Sequence, residues 1–263
     1  MPRMNAKNYT FGNSGEASAR LRKLAELYEP ETRELLARGG VRSPRLAVDL
    51  GCGPGWTTRL IYDVLRPRQT VGLDASEKFI AEARENNRRE LEFHVADVVR
   101  GPFPVQSADA LFCRFLLTHL SPLSDALKAW REIAAPGAAL IIHETELLET
   151  GNAAMARYYE LVSRLQEHYG QALSVGGLLD ALVTESGWRI VESRRVVLEK
   201  PARRMAELHV ANLRSWKEDE FAGKSFDARE LETLERSLAR IANGEDQAGA
   251  VRNAARQIIA RRP

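Results

Sequence analysis

The sequence predicts an α/β protein built on a doubly wound sheet, and three observations predict it. Between residues 46 and 142, short apolar runs alternate with helical stretches of about 10–15 residues, the rhythm of βαβ units. The first run, 46–50, is apolar except for Asp49 and leads directly into Gly51-Cys52-Gly53-Pro54-Gly55, a glycine-rich turn where open α/β sheets bind ligands. Composition permits a buried core, with 44 % hydrophobic and 28 % charged residues in 263. That length suits one domain with attached helical cover rather than two full domains.

Each element has its own signal. Ala17, Leu21, Leu24, Ala25 and Tyr28 share one face of a helix over 16–28, which stops near Pro30. A second helix, 31–38, ends at Gly39-Gly40, because glycine accepts the left-handed conformation that closes a helix. Strands are expected at 46–50, 70–73, 91–95, 109–115 and 138–142. Helices are expected at 56–65, 77–86 and 124–134, the last stopped by Pro136-Gly137. Beyond residue 150, Tyr158, Leu161, Val162 and Leu165 recur at helical spacing over 153–169, and a further helix is expected over 176–186. Gly187-Trp188 opens a strand over 189–198. Helices follow at 202–216 and 227–241, the latter begun by the capping pair Asp227 and Glu230. A last strand falls within 254–262. The expected organisation is one domain, 1–263: an N-terminal helical cover (1–40), an α/β core (41–149), helical cap insertions (150–185 and 199–250) and final strands (186–198 and 254–262).

Charge and cysteine usage exclude several classes. Lys and Arg total 38 and Asp and Glu 36, a net charge of +2, which leaves no electrostatic footprint for nucleic acid. Cys52 and Cys113 are the only cysteines and form no C-x-x-C pair, so a reduced, cytoplasmic setting is expected in place of a disulfide framework. No apolar run approaches the 18 or so residues of a membrane span, and no membrane partner is expected.

The glycines carry the chemistry. Three at alternate positions after a buried strand let the backbone turn tightly and approach a ligand. A dinucleotide site would continue G-x-G-x-x-G/A, but Trp56 stands at the sixth position, where its bulk opposes close helix–strand packing. The spacing G-x-G-x-G instead resembles motif I of the class I, Rossmann-like S-adenosylmethionine-dependent methyltransferases, small-molecule subgroup. The resemblance continues through Asp74-Ala75 at the end of the second strand, through His94-Val95-Ala96-Asp97-Val98 after the third, and through Arg114 and His119-Leu120 after the fourth. It extends to Ala135-Pro136-Gly137-Ala138, where relatives usually carry Pro-Gly-Gly, and to Gly176-Gly177-Leu178 and Gly187-Trp188.

The resemblance implies a three-layer α/β/α fold with a seven-stranded mixed sheet ordered 3-2-1-4-5-7-6, its seventh strand antiparallel. It also implies a cofactor, S-adenosylmethionine, leaving as S-adenosylhomocysteine, with no metal. Asp49, Gly51, Cys52, Gly53 and Gly55 would wrap its methionine part. Asp74 with Ala75 would take the ribose hydroxyls and Asp97 with Val98 the adenine. Arg114 is a candidate for its carboxylate, and Tyr9 and Arg20 for closing the pocket.

The acceptor is expected to be a small molecule, and a homodimer is an allowed assembly. His119 is the candidate general base, because imidazole titrates near neutrality; a structural histidine under the cofactor is the alternative. Glu144 and Glu146 follow the fifth strand at the same rim and either accept from the substrate or are solvated. Tyr158, Tyr159 and His168 either wall the acceptor site or belong to the core. An NAD-dependent oxidoreductase is opposed by Trp56 and by the Asp97 segment. A nucleic-acid methyltransferase is opposed by Cys113-Arg114-Phe115-Leu116, which stands where base-amine enzymes carry an acid or Asn before Pro-Pro-aromatic. A protein methyltransferase or an inactive cofactor-binding protein of the same fold remain alternatives.

Overall fold

The computed structural model describes residues 15–85 and 88–263. Five strands form a parallel core: β1 (Leu46–Leu50), β2 (Gln69–Asp74), β3 (Leu91–Val95), β4 (Ala108–Arg114) and β5 (Ala134–Thr150). β6 (Arg189–Pro201) and β7 (Ala250–Arg261) complete a seven-stranded sheet in the order β3-β2-β1-β4-β5-β7-β6, with β7 antiparallel to both neighbours. This is the predicted Rossmann-like sheet.

Side chains alternate across it, as the strand period of two requires. On one face, Leu111, Leu140, Ile142 and Ile258 pack with Leu127 and Trp130 of α5 (Leu123–Ile133) and with Leu179 and Val183 of α7 (Leu179–Glu185). On the other, Ala110, Phe112 and Ile141 pack with Leu35 and Leu36 of α2 (Glu29–Arg38) and with Leu60, Ile61 and Leu65 of α3 (Trp56–Leu65). α4 (Glu77–Glu85) sets Ile80 and Ala83 against Phe93 and Cys52. α1 (Gly15–Leu27) lies beside α3 and the cap.

Three strands run well past their apolar segments. β5 was expected over 138–142 but continues to Thr150, because residues 143–150 pair antiparallel with β7 from His143↔Gln257 to Thr150↔Val251. β6 likewise reaches Pro201, and β7 starts at Ala250. Pro136-Gly137 does not end α5, which stops at Ile133. It lies instead where the β4–β5 register slips between Ala108↔Ala134 and Ala110↔Ala139, with Gly137 at φ +78°. The extended strands carry a second core. α6 (Ala153–His168), α8 (Ala202–Trp216), α9 (Glu220–Ser225) and α10 (Ala228–Asn243) bury Leu165, Leu213, Trp216 and Leu238 together with Val251 of β7. α9 has no apolar periodicity of its own and was not expected; Asp219 caps it through the Phe221 and Ala222 N–H groups. The 176–186 helix divides into a 3-10 turn, Gly176–Leu178, and α7.

Candidate active site

The glycine-rich turn is shaped by backbone conformations that side chains resist. Gly51, Gly53 and Gly55 have φ of +70°, +51° and +85°. A Cβ on Gly51 would lie 2.6 Å from Leu116 Cδ1, and one on Gly55 2.7 Å from Phe93 Cζ. The Gly51 and Cys52 N–H groups donate to the Leu73 carbonyl, tying the loop to β2. Asp49 lies beneath it, buried, accepting from Thr58 Oγ1 at 2.7 Å. Burial pushes its pKa up to about 7, against the opposing hydrogen bond from Thr58.

Asp74, at the end of β2, accepts from the Gly53 N–H through Oδ2 and from the Ser76 N–H through Oδ1, both at 2.8 Å. Each oxygen keeps further acceptor capacity toward the cavity. Desolvation raises its pKa, with the two N–H donors opposing. Asp97, after β3, accepts from the Val99 and Arg100 N–H groups through Oδ1 alone, at 2.8 and 3.3 Å.

These groups open onto a cavity of about 960 Å³ between the carboxyl ends of the parallel strands, α1 and the cap helices. Gly51, Cys52, Gly53, Asp74, Ala75, Asp97, Val98, Arg114, His119 and Arg20 all line it, as do Tyr158, Tyr159 and His168. Arg114 ends β4 and donates to Thr32 Oγ1 and Thr57 Oγ1 at 2.8 and 3.2 Å. Both partners are neutral hydroxyls. Desolvation lowers its pKa to about 10, although Asp49 and other acids oppose this. His119 closes the 3-10 turn Leu117–His119. Desolvation first, then Arg20, holds its pKa down to about 4, against a hydrogen bond with Gln171. The imidazole is therefore neutral at physiological pH.

Several predicted positions lie elsewhere. Asp49 and Gly55 sit behind the loop rather than on the cavity wall. Glu144 is no rim residue. Because β5 continues through it, it is fully buried, and its Oε1 accepts from the Leu116 and Leu117 N–H groups at 2.8 and 2.9 Å. It pins the turn that carries His119. Glu146 is ion-paired with Arg195 and Arg256 at 2.7 and 2.8 Å, away from the cavity. Tyr9 lies outside the described residues. His168 stacks on Phe221, ring centroids 4.0 Å apart.

The sequence reading missed the cap's polar wall: His209, Asn212, Gln166 and Asn253. A signal for two of these was present. Met205, Leu208, His209 and Asn212 fall at i, i+3, i+4 and i+7, so two polar residues interrupt the apolar stripe of α8. Tyr28 was also missed as a wall residue. It accepts from Asn253 Nδ2 at 2.7 Å and packs edge-on against Phe115 at 4.9 Å.

The site fits S-adenosylmethionine. The glycine cradle has room only without Cβ atoms, two carboxylates stand at the ends of β2 and β3, and a guanidinium held by neutral hydroxyls faces the loop. Among the described residues, no cluster of three or more His, Cys, Asp or Glu side chains is disposed to hold a metal.

Fold and site together resemble those of the class I, Rossmann-like methyltransferases. Residues 48–142 match the family model described as a methyltransferase domain. The chain is 36 % identical over 109 residues to a trans-aconitate 2-methyltransferase of Methylobacterium radiotolerans, a match covering 41 % of each chain. It thus spans less than half the length of that curated relative. Among solved structures, a candidate methyltransferase of Bacillus halodurans superposes with a TM-score of 0.62 at 14 % identity, covering 89 % of this chain and 99 % of that one. A phosphoethanolamine N-methyltransferase of Haemonchus contortus, solved with phosphomonomethylethanolamine and S-adenosylhomocysteine, gives 0.56 at 15 %, covering 89 % and 52 %. At such identities the structures bear on the fold alone.

Proposed function

We propose that this protein transfers a methyl group from S-adenosylmethionine to a small-molecule acceptor by in-line displacement. The observation that carries the reading is a single cavity with the glycine-rich turn, Asp74 and Asp97 at one end and the cap helices at the other. When bound, the cofactor supplies a sulfonium-linked methyl that is electrophilic without further activation. The chain's part is then mainly positional, and positioning can contribute up to about 7–11 kcal/mol to a barrier of this kind.

Asp74 and Asp97 hold ribose and adenine by accepting hydrogen bonds. Arg114 would receive the amino-acid carboxylate in a charge-assisted pair. α1 and the cap exclude water from the reacting centre. His119 stands as a neutral imidazole on the turn facing the methyl position and can take the proton of a hydroxyl acceptor. Glu144 acts through that turn by holding the Leu116 and Leu117 N–H groups.

The 109-residue match to the trans-aconitate enzyme is too short to contain both the core and the cap in full, and the family-model match, 48–142, lies in the core, so neither identifies the acceptor. The extended β5, β6 and β7 support a single domain, since they carry both. The free, buried thiols of Cys52 and Cys113 favour a reducing, cytoplasmic setting.

Calorimetry with S-adenosylhomocysteine and with NADH tests the proposal. The former binds with a stoichiometry of one and the latter does not. Binding of NADH alone would reverse the reading.

A further inference from the structure

The cavity end opposite the glycine-rich turn has a distinct chemistry. Four of its buried residues carry a polar atom with no partner among the described residues: His209 Nδ1, Asn212 Oδ1, Gln166 Oε1 and Asn253 Oδ1. Each residue is more than nine-tenths buried. A buried hydrogen-bonding atom left unsatisfied is costly, and a ligand that completes it removes that cost.

The other ends of three of these groups are held. Asn212 Nδ2 donates to the Tyr158 hydroxyl at 3.0 Å, Asn253 Nδ2 to the Tyr28 hydroxyl at 2.7 Å, and His209 Nε2 shares a hydrogen with the Tyr159 hydroxyl at 2.8 Å. Whichever way each amide is turned, the end it offers is neutral. His209 is neutral as well, since burial first, and then Arg20, depresses its pKa to about 3.

The wall is also aromatic. The Tyr158 ring stacks on His209 at 4.2 Å with planes 18° apart, and Tyr159 meets His209 edge-on at 5.0 Å. Among the described residues, α6, α8 and β7 give the cavity no lysine or arginine. Arg20 of α1 is near enough to depress both His119 and His209, while Arg114 and Lys200 lie by Tyr28, the partner of Asn253. A polycarboxylate on the α6 and α8 wall would have to shed its water against neutral groups and the Glu167 carboxylate, with Arg20 as the cation beside His209. An uncharged hydroxyl meets amide and imidazole partners instead, and Arg20 favours its ionisation when it reacts.

We propose that the cap seats an uncharged, ring-bearing alcohol or phenol, its ring against Tyr158 and Tyr159 and its hydroxyls on Asn212, Gln166 and His209. This rests on the methyl-transfer reading of the cavity and departs from the tricarboxylate in the relative's name.

Thermal unfolding tests it with four probes: S-adenosylhomocysteine alone, then catechol, benzoate and trans-aconitate added to that complex. S-Adenosylhomocysteine raises Tm. Catechol at about tenfold its Kd raises it further by roughly 3–6 °C, while benzoate and trans-aconitate at equal concentration leave it within about 1 °C. In Asn212→Leu the S-adenosylhomocysteine shift persists and the catechol shift disappears. Tyr159→Phe, which removes only a hydroxyl, reduces the catechol shift and decides the matter if the leucine variant does not fold. No shift with S-adenosylhomocysteine overturns the donor-site reading beneath the proposal. A shift with it but none with catechol, an equal shift with either anion, or a catechol shift surviving in both variants overturns the acceptor assignment alone.

Discussion

Glu144 offers the sharpest test of how the site is built. Its carboxyl is fully buried in β5, and burial raises its pKa from 4.5 to about 7, against the N–H donors of the turn after β4. Between those values the native protein binds more protons than the unfolded chain, so stability falls as pH rises through this window. At about 1.4 kcal/mol per pH unit, the loss assignable to Glu144 is ~3 kcal/mol, a sizeable part of the roughly 5–15 kcal/mol that stabilises a domain.

Glu144→Gln keeps an acceptor oxygen for Leu116 and Leu117 but does not titrate. Asp49, which also titrates near neutrality, is common to both proteins and cancels. Urea unfolding at about pH 5 and pH 8 should therefore show the variant gaining ~2.5 kcal/mol on the wild type as pH rises, the part of the loss that falls in that interval. Parallel stability curves would refute the buried proton. Glu144→Ala instead leaves two backbone N–H groups without an acceptor. At about 1–3 kcal/mol each, that predicts a loss of ~2–6 kcal/mol, and an alanine variant as stable as the glutamine one would refute the anchoring role.

The remaining expectations concern the cavity wall. Asp74→Ala should weaken S-adenosylhomocysteine binding by roughly 10²–10⁴-fold in calorimetry, since a carboxylate serving two hydroxyls is lost; an unchanged Kd would remove Asp74 from the site. Arg114→Met should weaken S-adenosylhomocysteine by about 10–100-fold but spare 5′-methylthioadenosine, which has no carboxylate; equal losses would place Arg114 elsewhere. His119→Ala should lower turnover by roughly 10²–10⁴-fold with cofactor affinity nearly intact, whereas loss of both in parallel would mean a structural role. Because the His119 pKa is depressed to about 4, its neutral form persists down to that pH, and the acid limb of kcat should fall there rather than near 6.5. Gly51→Ala places a Cβ 2.6 Å from Leu116 at φ +70°, so both melting temperature and cofactor affinity should drop; unchanged melting would contradict the strained loop.

Much of the core was legible because its signals are local. The 46–50 strand, the glycine turn and the 56–65 helix depend on an apolar run, on positive φ at three glycines and on helical spacing, each contained within a few residues. Asp74 and Asp97 were legible for a related reason, since each stands at the end of a strand that announces itself. Glu144 was not. Whether a residue beyond Ile142 is at the rim or in the sheet depends on pairing with β7, more than a hundred residues away, which local propensity cannot register.

By itself, then, the sequence determined the fold class, the carboxyl ends of β1 to β4 and the glycines and acids that stand there, because βαβ periodicity and glycine geometry are written in neighbouring positions. Only the tertiary structure decided how far β5, β6 and β7 extend, that Glu144 serves the His119 turn from within the sheet, and that Gln166, His209, Asn212 and Asn253 line one cavity. Those four come from three elements whose approach is set by packing of the cap around Trp216 and Leu213, and hydrogen-bonding geometry across such distances exists only after the chain has folded.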